Sequence, residues 1–131
     1  MEVANTVRAS ELAPDDARVL FALALSYSTN LDYVHAVPVY QHLLDIEPGN
    51  AEGWNNLGSA YSGLGRLEEA ISAYKQAVAL DRRSIIAWNN LGLRYYQSNR
   101  FAEAIDAYQT ALSMAPDNET AKLGLQRAKQ R

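Results

Sequence analysis

Trp54-Asn55-Asn56-Leu57-Gly58 and Trp88-Asn89-Asn90-Leu91-Gly92 are the same five residues, 34 positions apart, in a chain of 131 that contains only two tryptophans. The recurrence extends outward from both copies. Ala70, Tyr74 and Ala77 return as Ala104, Tyr108 and Ala111 at the same interval, and one step back stand Leu20, Leu23, Ala24 and Tyr27, then Ala36, Tyr40 and Leu43. The period divides the chain into units 17–50, 51–84 and 85–118, with 1–16 before them and 119–131 after.

Each boundary carries its own local signal. Asp16, Asn50, Ser84 and Asn118 precede the four starts. All are side chains whose oxygen accepts from the free N–H groups of a helix's first turn. Pro14, Pro48 and Pro116 stand two positions earlier and end whatever helix precedes them. Arg82 takes that place before unit three, so a less sharply enforced turn is expected there. Within each unit, short polar breaks at Ser28-Thr-Asn30, Ser62-Gly-Leu-Gly65 and Gln97-Ser-Asn99 separate two helices of about 12–15 residues.

In unit two, Trp54, Leu57, Gly58 and Tyr61 fall at i, i+3, i+4 and i+7, and Leu67, Ala70, Ile71, Tyr74, Ala77 and Val78 form a second such stripe. Small residues pair across the two helices, Gly58 with Ala70, Gly92 with Ala104 and Ala24 with Ala36, which predicts close backbone approach. Helices this short need stacked neighbours, so the pattern implies an all-α solenoid. Pro38 lies inside the second helix of unit one, where a local bend is expected.

These residues resemble the tetratricopeptide repeat (TPR) family. Unit three carries its pattern as Trp88, Leu91, Gly92, Tyr95, Ala104, Tyr108, Ala111 and Pro116, and unit two lacks only the proline. Unit one departs at Leu20, Ala24 and Leu43. The resemblance implies a right-handed α-solenoid of three helix-turn-helix repeats, a C-terminal capping helix and an N-terminal half-repeat. In the tail, Ala121, Leu125 and Ala128 would face the preceding repeat, and Lys122, Gln126 and Lys129 suit water. The half-repeat at the N-terminus suggests a chain cut from a longer array, or an end that pairs with a second copy.

By the same resemblance the first helices line a concave groove. The expected peptide-binding residues are Phe21, Leu25, Asn55, Asn56, Ser59, Ile86, Asn89, Asn90, Leu93 and Tyr96. Asparagine is a poor helix former, but its amide offers two donors and an acceptor that can bracket one peptide group of an extended chain. Asn56 and Asn90 resemble rungs of the asparagine ladder found in the family; Ala22 and Gly124 stand at the places on either side. At the positions of the family's carboxylate clamp this chain has Phe21, Leu25, Asn56, Ile86 and Asn90, with no cation to meet a carboxylate. The expected ligand is an extended segment with one or two apolar anchors, bound at about micromolar strength, near −8 kcal/mol.

Other chemistries find little support. No cysteine is present, so thiolate catalysis, disulfides and cysteine-bound metals are excluded. His35 and His42 lie seven apart, too far along one helix to share a metal, and no cofactor is expected. Glu68 and Glu69 are adjacent and point apart on a helix, so they form no acid/base couple. Ser62-Gly-Leu-Gly-Arg66 lacks the lysine of a phosphate loop.

The formal charge of −3 argues against nucleic acid. It is divided unevenly, with two basic and seven acidic side chains in 1–50 against ten and eight in 51–131. Arg82-Arg83 and the tail's Lys122, Arg127, Lys129 and Arg131 are the basic clusters, an ordinary placement near helix ends. No run of apolar residues is long enough to span a membrane, and the opening MEVANTVRASELAPDD has no signal-peptide pattern. The expectation is a non-enzymatic, soluble, cytoplasmic interaction scaffold for a protein or peptide partner, with the periplasm left open. The alternatives are a self-associating assembly module, a homo-oligomer through the N-terminal end, or the TPR segment of a larger enzyme.

Overall fold

The computed structural model describes residues 3–131, and those residues form eight α-helices and no strand. They are α1 (Val3–Leu12), α2 (Ala17–Thr29), α3 (Tyr33–Ile46), α4 (Ala51–Gly63), α5 (Leu67–Leu80), α6 (Ile85–Gln97), α7 (Phe101–Met114) and α8 (Glu119–Lys129). Residues 1 and 2 of the expected half-repeat lie outside the described range.

The even-numbered helices start where the capping residues place them. Side-chain oxygens of Asp16, Asn50, Ser84 and Asn118 accept from the backbone N–H of Arg18 (3.0 Å), Gly53 (2.9 Å), Ala87 (3.2 Å) and Ala121 (2.9 Å). The odd-numbered helices start differently. Asp32 caps α3 through the His35 N–H at 3.3 Å and also holds the His35 ring nitrogen at 2.8 Å. In front of α5 and α7 stand Arg66 and Arg100, which cannot accept a bond. Each instead grips a glutamate of the first turn in a two-pronged pair, Glu69 (both 2.6 Å) and Glu103 (2.8 and 2.9 Å), and lies over the ring of Tyr61 or Tyr95. Arg100 accordingly holds the Glu103 carboxyl below its ordinary range.

Each turn inside a helix pair needs one left-handed residue. Gly65 (φ 74°) and Asn99 (φ 61°) supply it cheaply, and at the equivalent position stands Leu31 (φ 60°), a conformation costly for a branched side chain.

The turns between pairs are fastened by the tryptophans. Trp54 donates its indole N–H to the Pro48 carbonyl and Trp88 to the Arg82 carbonyl, each at 2.9 Å. The indole therefore holds the Arg82 turn as firmly as the Pro48 turn, and the missing proline does not loosen it. α3 runs through Pro38 unbroken; the bond it forgoes is that of the carbonyl of Val34, an exposed residue.

Tyr40, Tyr74 and Tyr108 lie in the core at 0, 1 and 3% exposure. They explain the glycines of the repeated pentapeptide. A Cβ on Gly58 would sit 2.8 Å from the Tyr74 ring and one on Gly92 2.9 Å from the Tyr108 ring. The glycine makes room for the tyrosine four residues, one turn, beyond its expected alanine partner, so the close approach is of ring to backbone. Ala70 and Ala104 are themselves fully buried.

Curvature follows from which helices touch. The backbone of each even-numbered helix comes close to that of the next in its own layer, whereas the backbones of successive odd-numbered helices stay apart. The even layer, the shorter arc, is therefore the inside of the curve. The WNNLG pentapeptides lie on that inner layer, on α4 and α6. The tail's α8 buries Ala121 and Ala128 against the stack and exposes Lys122, Gln126 and Lys129.

Candidate functional site: the inner face

The inner face brings the asparagines of successive repeats into register. Asn90 donates an amide hydrogen to the Asn55 side-chain oxygen across the α4–α6 boundary, at 3.3 Å. The hydroxyl of Tyr40 meets Ser28 at 3.3 Å, and Asn56 lies near enough to favour its ionised form. Burial is the main influence on that phenol and raises its pKa above the ordinary tyrosine value. Ser59 shares a 2.9 Å bond with the hydroxyl of Tyr74. Tyr40 and Tyr74 thus send their polar ends up between the inner helices, and the hydroxyls of Ser28 and Ser59 receive them.

These bonds leave capacity unused. An amide has two donors and an acceptor with two lone pairs. Asn90 spends one donor on Asn55, which leaves the Asn55 amino group and the Asn90 carbonyl oxygen available. Asn89 is committed more deeply. It donates to Asn118 at 3.0 Å, the same oxygen that caps α8, so its role is to tie α6 to the following helix. Its own carbonyl oxygen is buried with no partner among the described residues.

Apolar side chains flank the amides. Ile86 is 69% exposed and Leu25 46%, while Phe21, Leu93 and Tyr96 are half-buried. Tyr96 is braced edge-on by Phe101, with ring centres 5.5 Å apart. Between α4 and α6 lies a cavity of about 470 Å³ bounded by Asn55, Asn56 and Ile86, with Glu52 and Asp81 on its rim. The asparagine row stops at Gly124 for a steric reason: a Cβ there would overlap the Tyr108 ring, which fills the space an asparagine rung would need.

Two hollows on the outer side are of similar size. One of about 550 Å³ lies between α3 and α5 with Trp54, Leu57 and Tyr61 as its floor. Its counterpart of about 420 Å³ is floored by Trp88, Leu91 and Tyr95. They recur because the outer helices are splayed, and their floors are packing residues.

The tyrosine hydroxyls and Asp81 escaped the sequence reading of this face. Tyr40 and Tyr74 carried a visible period, but a tyrosine in a core stripe reads as apolar until its polar end is placed.

Elsewhere, His35 turns to Asp32, and His42 to Asp15 and the Pro14 carbonyl. Among the described residues no three His, Cys, Asp or Glu side chains are grouped to hold a metal. None of the described helices is long and apolar enough to cross a membrane.

Comparison with known proteins adds the following. A family model described as tetratricopeptide repeat matches residues 21–85 and again 55–119. The crystal structure of MamA superposes with a TM-score of 0.94 at 23% identity, over 98% of this chain and 75% of that one, a likeness of fold alone. The first TPR of Spaghetti (RPAP3), bound to the HSP90 peptide SRMEEVD, superposes with a TM-score of 0.83 at 29% identity, over 87% of this chain and 90% of that one. The first TPR domain of the human RPAP3 protein gives 0.80 at 29% identity, over 89% and 92%. No curated protein sequence matches the chain.

Proposed function

The chain belongs to the tetratricopeptide repeat family, and from that premise we propose that it is a non-catalytic interaction scaffold whose inner face holds an extended segment of a partner protein. The observation that carries this reading is the cross-repeat asparagine row. Asn55 and Asn90 are joined at 3.3 Å with hydrogen-bonding capacity to spare, and Asn56 stands beside the Tyr40 hydroxyl. A segment in extended conformation offers an N–H and a carbonyl at regular intervals, which suits an amide that can both donate and accept. The pre-set bond fixes the rotamers of Asn55 and Asn90 before a ligand arrives, so less side-chain entropy is lost on binding.

Ile86 and Leu25 supply the apolar contacts on either side. A neighbour 29% identical to this chain has a peptide bound, which supports the same use of the fold here. The mode of capture differs from a carboxylate clamp, because Phe21, Leu25, Asn56, Ile86 and Asn90 stand at the clamp positions.

The test begins with a peptide array of the native proteome to find a binding segment. Asn56→Ala combined with Asn90→Ala is expected to weaken that segment by roughly tenfold, about 1.4 kcal/mol, with helicity unchanged. Unaltered affinity would discard the asparagine row as the binding element.

A further inference from the structure

Beyond Asn90 the inner face changes character. Arg94 lies one turn further along α6, on the same side as Asn90. The matching positions in the other inner helices hold Ser26, Ala60 and Ala128, buried at 5, 0 and 1% exposure. An arginine therefore stands where the repeat otherwise demands a small side chain.

Its surroundings are also unusual. Among the described residues Arg94 and Arg100 are the two half-buried cations. Arg100 is paired with Glu103 at 2.8 Å and Glu68 at 3.4 Å, whereas Arg94 has no carboxylate partner and its Nε is buried with no hydrogen-bond acceptor. Withdrawing a guanidinium from water without a counter-charge is costly, and a buried donor without an acceptor requires an explanation.

Two more arginines gather at the same end. Arg127 follows Gly124 by three residues on α8, hence on its inward side. Arg131 directs Nε and Nη2 at the Tyr96 hydroxyl, 3.2 and 3.1 Å away, and lies 5.7 Å from the centre of that ring. Neither makes an ion pair among the described residues. Tyr108, whose ring fills the place of the missing asparagine at Gly124, lies within reach of both charges: burial raises its pKa, and Arg94 and Arg127 oppose that rise.

We propose that Arg94, Arg127 and Arg131 form an oxyanion subsite at the C-terminal end of the inner face, occupied by a carboxylate of the bound partner segment. The proposal rests on the reading of this face as a peptide groove and gives the groove a polarity: amides and apolar anchors at one end, cations at the other. It also accounts for Gly124. With no side chain there, the Tyr108 ring is admitted against α8, within reach of Arg94 and Arg127. Arginine suits this role because its planar fork can grip both oxygens of a carboxylate.

Arginine Nε–H resonances in NMR report on the site directly. The probes are an acetylated triglutamate amide, its triglutamine counterpart and the triglutamate free acid. Triglutamate is expected to shift the Arg94 and Arg127 signals saturably, and triglutamine to leave them in place. Arg94→Gln with Arg127→Gln is expected to weaken triglutamate by about tenfold or more at unchanged helicity. Lys122→Gln with Lys129→Gln, an equal loss of charge on the exposed side of α8, is expected to change it less than about twofold.

Tighter binding of the free acid assigns the site to a terminal carboxylate, and equal binding to an acidic side chain. Equal shifts with triglutamine, or equal losses in the lysine and arginine variants, would overturn the proposal. The arginine variants are read with triglutamate and the asparagine variants with the segment found on the array, so this subsite and the asparagine row can fail separately.

Discussion

Gly58→Ala tests the interlock on which the fold depends. In an ordinary helix interior the change would stabilise by about 1 kcal/mol, the difference in helix propensity. Here the new methyl group would meet three ring atoms of Tyr74 at 2.8–2.9 Å, where ordinary contact begins at 3.4 Å. The ring must therefore retreat by about 0.6 Å, the difference between those distances. It has nowhere to go, being 1% exposed and held at its far end by the 2.9 Å bond to Ser59. Overpacking of this kind costs about 1–3 kcal/mol, so the net effect is a destabilisation of about 1 kcal/mol. Urea denaturation followed by circular dichroism reads it, with a double-mutant cycle to isolate the cause. In a Tyr74→Leu background the clash is gone and Gly58→Ala should stabilise by its full propensity, giving a coupling of about 2 kcal/mol. If Gly58→Ala stabilises equally in both backgrounds, the glycine is not there for the ring, and the account of the repeated pentapeptide fails.

Leu31→Gly should stabilise by about 0.5–1 kcal/mol in the same assay, because it relieves a left-handed leucine that is 72% exposed. Trp54→Phe removes the indole bond to the Pro48 carbonyl and should cost at least about 1 kcal/mol, with Trp88 left as the fluorescence reporter. Asn118→Ala removes the cap of α8 and the partner of Asn89 together; a loss of about 1–3 kcal/mol and faster hydrogen exchange in the first turns of α8 are expected, and unchanged exchange there would contradict the dual role. Acid should fray specific helix starts. Asp16 is held below its ordinary pKa by its bonds to Arg18, Asp32 by His35 and Glu103 by Arg100. Since the folded values are the lower ones, these carboxylates contribute stability above about pH 4 and lose it as pH falls through the folded values, which backbone NMR shifts at the starts of α2, α3 and α7 would follow.

The parts of this structure that could be read from residue order are those whose cause lies within one turn of chain. A cap needs only its oxygen and the N–H two or three residues on, so Asp16, Asn50, Ser84 and Asn118 announced four helices. A 34-residue period announced the stack because helices this short have no stability without neighbours. What escaped depends on the distance between helices that are far apart in sequence. Gly58 could be seen to need space, but whether an alanine or a tyrosine filled it depended on the crossing of α4 and α5.

The same limit governed the asparagines. Four amides in two identical pairs look alike in sequence, yet the stack places them differently: Asn89 serves α8, Asn55 and Asn90 serve each other, and Asn56 stands beside Tyr40. Identity of motif therefore did not mean identity of role, because each copy meets a different neighbour one repeat on. Arg94 is the sharpest case. By spacing it is one more residue of a helix, and only the comparison with Ser26, Ala60 and Ala128, made once their burial was known, marks it as a charge placed where packing would have chosen a methyl group. In a repeat protein the period specifies the scaffold, and the positions that break the period while staying near the curve's inner side are where recognition is to be sought.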